Sequence, residues 1–128
     1  MPLTITTITA LALAALMFLQ TYAVILRRRE KGIVLGDGGD KTAAKRIRGH
    51  ANTVEQAPIF LILVTLAELR EAPLMALALI CAVFVLSRVA HAYYFLDVGA
   101  HWKFRRIGMT GTALMQIAIM ALLVYTLL

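Results

Sequence analysis

The stretch LTITTITALALAALMFLQTYAVIL, residues 3–26, decides the fold of this chain, because no charged side chain interrupts it. At about 1.5 Å per residue, a helix over this stretch crosses the roughly 30 Å of bilayer hydrocarbon. A cleaved signal peptide is the alternative interpretation. No basic segment precedes the run, however, and Arg27, Arg28 and Arg29 follow it directly, as at a stop-transfer boundary. We therefore predict a membrane-spanning helix.

Three more apolar runs follow this first one, at residues 53–69, 74–96 and 107–128. Hydrophobic residues make up 61% of the chain, which is too apolar for a soluble domain of this size. The sequence therefore predicts an all-α, multi-pass integral membrane protein, with residues 1–128 forming a single domain of four transmembrane helices.

The basic residues collect in two of the three links between these spans. Most of the 13 lysines and arginines lie in residues 27–51 and 97–106, whereas the short hairpin before residue 74 carries only Arg70. Basic loops are retained in the cytoplasm, so we expect both polar links inside and both termini outside. This placement also explains the net charge of +6 without a nucleic-acid partner.

The long polar link contains GDGGD at residues 36–40, a composition typical of turns. We expect the chain to become helical again near Lys41, with Asp40 or Thr42 as N-cap, and to continue into the second span. Pro58 falls inside that span, where neighbouring helices can satisfy the freed carbonyl.

Three polar residues lead into the second span. Arg48, Asn52 and Glu55 are spaced i, i+4 and i+7, so on a helix they form one face, here called the polar stripe. An unpaired carboxylate at the lipid boundary is costly, so Glu55 needs Arg48 or the ammonium group of a ligand. A purely structural ion pair between helices is the alternative.

Further polar residues lie in the third span and before the fourth. Arg88 and His91 share one helix face, and Glu55 is the expected counterion of Arg88. His91 has no His or Cys partner at ligand spacing, so we predict no metal site. Arg105 and Arg106 either face the same site or anchor the fourth span at the interface.

The polar positions resemble those of one membrane family. Residues 48–58, RGHANTVEQAP, resemble the R-x-H-x-N-x-x-E-x-x-P signature of the MAPEG family, the membrane-associated proteins in eicosanoid and glutathione metabolism. The segments RVAH, residues 88–91, and RRIG, residues 105–108, are similar to its later polar positions, and GDGG, residues 36–39, resembles a loop of bacterial members. Gln56 and Phe95 depart from the aromatic and the tyrosine found in other members.

This resemblance implies a left-handed four-helix bundle assembled as a homotrimer in a bacterial inner membrane. Glutathione would be the cosubstrate, bound between subunits on the cytoplasmic side, and a transferase or peroxidase activity toward a lipophilic small molecule is expected. Glutathione-binding positions carried over from the family are Arg48, His50, Asn52, Glu55, Arg88, His91 and Tyr93. Arg105 and Arg106 would be the catalytic residues, one of them facing the thiol.

Two other functions fit the same residues. A non-catalytic scaffold or lipid-binding protein would use the polar groups only to hold helices together. A small transporter or channel would use intramembrane Arg, Glu and His to line an aqueous path, but the charges cluster toward one side of the membrane.

Overall fold

The structure is a computed structural model that describes residues 3–96 and 99–128. Its described residues form four helices: α1 (Thr4–Lys31), α2 (Lys41–Leu69), α3 (Leu74–Leu96) and α4 (Lys103–Tyr125). Each helix is long and apolar enough to cross a membrane. The predicted all-α fold with four spanning helices is therefore confirmed.

Two helices extend further than the apolar runs indicated. α1 continues past residue 26 to Lys31, and α4 begins at Lys103 instead of residue 107. Basic side chains in the last turn of α1 interact favourably with the negative end of the helix dipole, so the helix can continue into the interface. It ends at Gly32, which adopts the left-handed conformation at φ 65°. The predicted start of the last polar link at Asp97 lies outside the described residues.

The four helices form an antiparallel bundle in which α2 and α3 are central. Within the described residues α1 packs against α2 and α3, and α4 packs against the same two helices, whereas the backbones of α1 and α4 do not approach each other. The rings of Phe60 and Phe84 stack between α2 and α3 with centroids 3.5 Å apart. Cys81 is buried in the same core, as expected for a small hydrophobic residue.

α3 and α4 approach each other most closely at two glycines. A Cβ atom placed on Gly108 would lie 2.6 Å from the backbone nitrogen of His91, and one on Gly111 would collide with the Ser87 hydroxyl. Small residues are what allow membrane helices to pack backbone against backbone. This close approach brings the start of α4 against the polar end of α3.

The N-terminus of α1 is capped by a residue near the C-terminal end of α2. The Glu68 carboxylate accepts hydrogen bonds from the Ile5 amide at 2.9 Å and from the Thr6 amide at 2.8 Å. The Thr6 hydroxyl donates to the same carboxylate at 2.7 Å. The first amides of a helix lack intrahelical partners, so a negative group at this position satisfies them.

Asp40 performs the corresponding role at the start of α2. Its Oδ1 accepts from the Ala43 amide at 2.7 Å, and its carboxylate receives Nε and Nη2 of Arg27 at 3.0 and 2.8 Å. The hydrogen bond from Arg27 is the main reason that the pKa of Asp40 falls to about 2. Of the two N-cap residues that the sequence indicated, Asp40 and Thr42, the structure has Asp40.

The low pKa of Asp40 makes the junction of α1 and α2 sensitive to acid. A carboxylate whose pKa is depressed on folding stabilises the folded state at pH values above its ordinary pKa of 3.8. This contribution disappears as the pH falls toward 2. We expect Asp40→Asn to keep an N-cap acceptor but to lose this pH dependence. Thermal unfolding of the two proteins in detergent from pH 7 to pH 2 measures the difference.

The matched control for this prediction is Asp37→Asn. Asp37 accepts from the Gly39 amide in the same loop but has no arginine partner among the described residues. The difference in unfolding temperature between wild type and Asp40→Asn should become smaller from pH 4 to pH 2. The difference between wild type and Asp37→Asn should show no comparable change. If the difference between wild type and Asp40→Asn were constant over this range, the pH dependence could not be assigned to Asp40.

Candidate functional site

The polar stripe of α2 lies on one face, as its spacing predicted. Nη1 of Arg48 is 3.7 Å from Oε1 of Glu55, a long ion pair across two helical turns. Their side chains are 67% and 51% exposed, so the pair lies on the outside of the single bundle. Arg48, one of the two partners that the sequence allowed for Glu55, is therefore its partner in the single chain, and both side chains still have capacity for further polar contacts.

A small pocket opens beside this stripe at the basic end of the bundle. Arg48 and Asn52 of α2, His91 of α3 and Arg105 of α4 line it, around a volume of about 150 Å³. Gly49 makes this arrangement possible, because a Cβ atom there would collide with Phe95 of α3. The pocket therefore brings together polar residues that are far apart in the sequence.

Arg88 lies behind the pocket and is fully buried. Its Nη2 donates to Oδ1 of Asn52 at 2.9 Å and to the Thr53 hydroxyl at 3.1 Å, and its Nη1 donates to the Thr112 hydroxyl at 3.3 Å. Nδ1 of His91 is 3.2 Å from Nη2 and can only accept there, because a guanidinium only donates; Nη2 has two hydrogens for three acceptors, so one hydrogen is shared between two of them. One guanidinium thus links α2, α3 and α4.

The expected pairing of Arg88 with Glu55 is wrong. Glu55 is on the exposed side of α2 beside Arg48, whereas Thr53 is on the buried side that faces α3. Glu55 and Thr53 therefore lie on different faces of α2, and Arg88 contacts the face that carries Thr53. Neutral oxygens from Asn52 and the two threonines take the place of the carboxylate.

The hydrogen bond from Arg88 also fixes the orientation of Asn52. Since Oδ1 of Asn52 accepts from the guanidinium, its NH₂ group is left as a donor toward the pocket. Asn52 is partly buried, which further restricts its side chain. Arg88 thus acts on the pocket through Asn52 and His91.

Three of the residues proposed for the site lie elsewhere. Nε2 of His50 is 3.0 Å from the Thr21 hydroxyl, and His50 lines a different cavity between α1 and α2. Tyr93 is exposed and meets Phe104 edge to face. Arg106 stacks over Trp102. Successive residues of a helix point about 100° apart, which separates Arg106 from Arg105.

Sequence reasoning missed three residues of the site, Met109, Thr53 and Thr112, and named Phe95 only as a departure from the family's tyrosine. Phe95 and Met109 line the pocket, and Thr53 and Thr112 hold Arg88. Apolar lining residues carry no sequence signal in a chain this hydrophobic. The threonines could have been found as polar residues on otherwise apolar, core-facing helix surfaces.

Gln56, which departs from the family's usual aromatic residue, has a partner on α4. Nε2 of Gln116 donates to its Oε1 at 2.9 Å, and both side chains are partly buried. Interhelical amide pairs of this kind hold membrane helices together. Gln56 is therefore accounted for by packing in this chain.

The charges around the pocket favour an anionic group. Arg48 and Arg105 supply two cations at its edge, with Glu55 as one nearby carboxylate. Among the described residues no group of three His, Cys, Asp or Glu side chains could hold a metal ion. The arrangement is suited to a small molecule with more than one negative charge and one positive charge.

The fold and this pocket define a four-helix integral membrane protein with a pocket that two arginines line at the basic end of the bundle. The family model that matches the chain is that of the MAPEG family, over residues 6–126. The chain belongs to this family, whose members are membrane proteins related to glutathione and eicosanoids.

The chain is also similar to the inner membrane protein YecN of Escherichia coli strain K12. The two are 31% identical over 101 residues, which cover 78% of this chain and 76% of the relative, and YecN of E. coli O6:H1 matches equally. No solved structure matches. The chain is therefore an integral inner membrane protein of bacterial type.

Proposed function

We propose that this protein is a glutathione-dependent membrane enzyme that conjugates glutathione to a lipophilic electrophile or reduces a lipid peroxide. The observation that carries the proposal is the convergence of Arg48, Asn52 and Arg105 on one pocket at the basic end of the bundle. Membership of a glutathione-related family supports the choice of ligand.

The residues present fit the charges of glutathione. Its two carboxylates match the guanidinium groups of Arg48 and Arg105, and its ammonium group matches the carboxylate of Glu55. The NH₂ group of Asn52 is available to a peptide carbonyl. Bound in this way, glutathione would supply a thiolate nucleophile.

Arg105 is the residue proposed to favour the thiolate. It lies in the first turn of α4 and lines the pocket together with Arg48 and Asn52. A guanidinium beside a thiol stabilises its charged form over its neutral form. No basic side chain is needed to remove the proton, which can pass to water at the membrane boundary.

The size of the pocket favours a site shared between subunits. At about 150 Å³ it is smaller than the roughly 300–1,000 Å³ of usual ligand pockets. Arg48 and Glu55 are more than half exposed beside it. In the proposed homotrimer a second copy of the chain covers this face and encloses the rest of the ligand.

The location also suits the second substrate. In the proposed orientation the pocket faces the cytoplasmic boundary, where water-soluble glutathione enters from one side. A lipophilic acceptor can arrive laterally from the bilayer, and holding both reactants at one point raises their effective concentration.

Binding of glutathione to detergent-purified protein tests the proposal. We expect saturable binding that weakens at least about tenfold in Arg48→Ala and in Glu55→Ala, because each removes a charge-assisted contact. Arg29→Ala is the control, since Arg29 is an exposed cation outside the pocket. Absence of binding at millimolar glutathione in the wild-type protein would exclude this function.

A non-catalytic scaffold is the second candidate, and the buried network of Arg88 favours it. A guanidinium that joins three helices is what a structural role requires. In that case the double variant Glu55→Gln, Arg88→Met has a lower thermal stability than the wild type. Glutathione then changes the stability of neither the wild type nor the double variant.

A further inference from the structure

The outer face of α4, where it continues onto α3, carries a second concave surface that adjoins the pocket and shares Arg105 and Met109 with it. Two cavities of about 350 and 450 Å³ adjoin there and share Arg106 and Thr110 as lining residues. The first also includes Trp102, and the second continues to Val83 and Gly111. We call this surface the α3/α4 groove.

The upper end of the groove presents a cation at the membrane boundary. The guanidinium of Arg106 lies 5.0 Å from the ring centroid of Trp102, and Trp102 is 52% exposed. Over the described parts of the chain Arg106 makes no ion pair with a carboxylate. Stacking occupies the face of the guanidinium and leaves its N–H edges available.

The lower end of the groove is apolar and lies deeper in the membrane. Gly111 is five residues beyond Arg106, which places it about 7.5 Å further along α4. It offers no side chain, and Val83 and the exposed Ile107 form apolar walls. The Ser87 hydroxyl bordering this end already donates to the Val83 carbonyl at 2.7 Å. This part of the groove therefore suits hydrocarbon.

We propose that the α3/α4 groove binds an anionic phospholipid, with the headgroup phosphate on Arg106 and one acyl chain along Gly111 and Val83. A cation above an apolar channel matches a phosphate above a hydrocarbon chain in both charge and order of depth. A zwitterionic lipid is bound less well, because its own ammonium group competes with Arg106 for the phosphate. A soluble phosphate would leave the apolar part unfilled.

This site gives neighbouring arginines different roles. Arg106 lines the groove but not the pocket, whereas Arg105 lines the pocket and only the upper part of the groove. The lipid proposal rests on Arg106 and Thr110, which line the groove and not the pocket, and so it does not rest on the proposed glutathione chemistry. Failure of one proposal leaves the other to be judged by its own experiment.

Thermal unfolding of the full-length protein in a neutral detergent tests the proposal. Phosphatidylglycerol and phosphatidylcholine with identical acyl chains are titrated in parallel. We expect phosphatidylglycerol to raise the unfolding midpoint saturably and phosphatidylcholine to have little effect. Arg106→Gln should raise the half-saturating phosphatidylglycerol concentration about fivefold, as expected for one cation near a lipid headgroup.

Two further variants make the result specific. Lys103→Gln removes an exposed cation from the same helix turn, outside the groove, and should keep wild-type lipid sensitivity. Thr110→Phe fills the groove while retaining Arg106, and should weaken the response to phosphatidylglycerol. It also serves if Arg106→Gln does not fold.

Several results would overturn the proposal. Equal stabilisation by the two lipids would show that charge is not recognised, and equal loss in Lys103→Gln would show only diffuse attraction. A full effect from soluble glycerol phosphate would indicate a phosphate site without a lipid groove. A change of oligomeric mass in Arg106→Gln would assign the face to protein contacts. An unchanged response in Thr110→Phe would exclude the acyl-chain position.

Discussion

Replacing Arg105 with alanine is expected to slow glutathione conjugation about a hundredfold to a thousandfold at saturating glutathione. Arg105 is the cation of α4 that lines the pocket with Arg48 and Asn52. Its removal takes away the charge that stabilises the thiolate, so the chemical step suffers more than binding. Steady-state rates with a generic aryl halide measure the effect.

Arg106→Ala is the matched control for this prediction. It removes the same side chain one position further along, on the face of α4 that lies over Trp102. It should retain most of the conjugation rate, measured in one fixed lipid and detergent mixture. If Arg106→Ala loses as much activity as Arg105→Ala, the division of roles between the two arginines is wrong.

Replacing Arg88 with methionine is expected to lower the free energy of unfolding by roughly 2–5 kcal/mol. Methionine preserves much of the side-chain volume but leaves Asn52, Thr53 and Thr112 without their donor. Buried polar groups without partners are costly at membrane depth. Denaturant or thermal unfolding in detergent measures the loss.

Arg48→Met provides the contrast, because it removes an arginine that is 67% exposed. An exposed ion pair contributes about 0–1 kcal/mol, so stability should change little while glutathione binding falls. Arg88→Met should weaken glutathione binding as well, because Asn52 is no longer held. Equal stability of Arg88→Met and wild type would show that the buried network is not structural.

The fold could be predicted from the sequence because a bilayer imposes a simple requirement. Spanning segments need about 20 apolar residues in succession, and the runs at residues 3–26 and 74–96 meet this without help from tertiary contacts. The ends of α1 and α4 could not be predicted as well. At the interface, water and backbone hydrogen bonds both satisfy the chain, so a helix can continue through basic residues such as Arg28 and Lys103.

The candidate site was only partly predictable for a different reason. The spacing of Arg48, Asn52 and Glu55 depends on one helix and is fixed by its period, so their common face was correct. The partner of Arg88 depends on how α2 and α3 are rotated against each other. That rotation is set by packing, including the contact of Gly49 with Phe95, and the sequence pattern does not specify it.

Because Glu68 of α2 accepts from the first amides of α1, α1 can complete its hydrogen bonds only after α2 has been synthesised. The amides of Ile5 and Thr6 emerge first, but the group that accepts from them lies 62 positions beyond Thr6. Until α2 has been made and has returned beside α1, the first turn of α1 has no such acceptor. The N-terminus of α1 is thus capped only by α2, and the two helices reach their final hydrogen-bonded form as a helical hairpin.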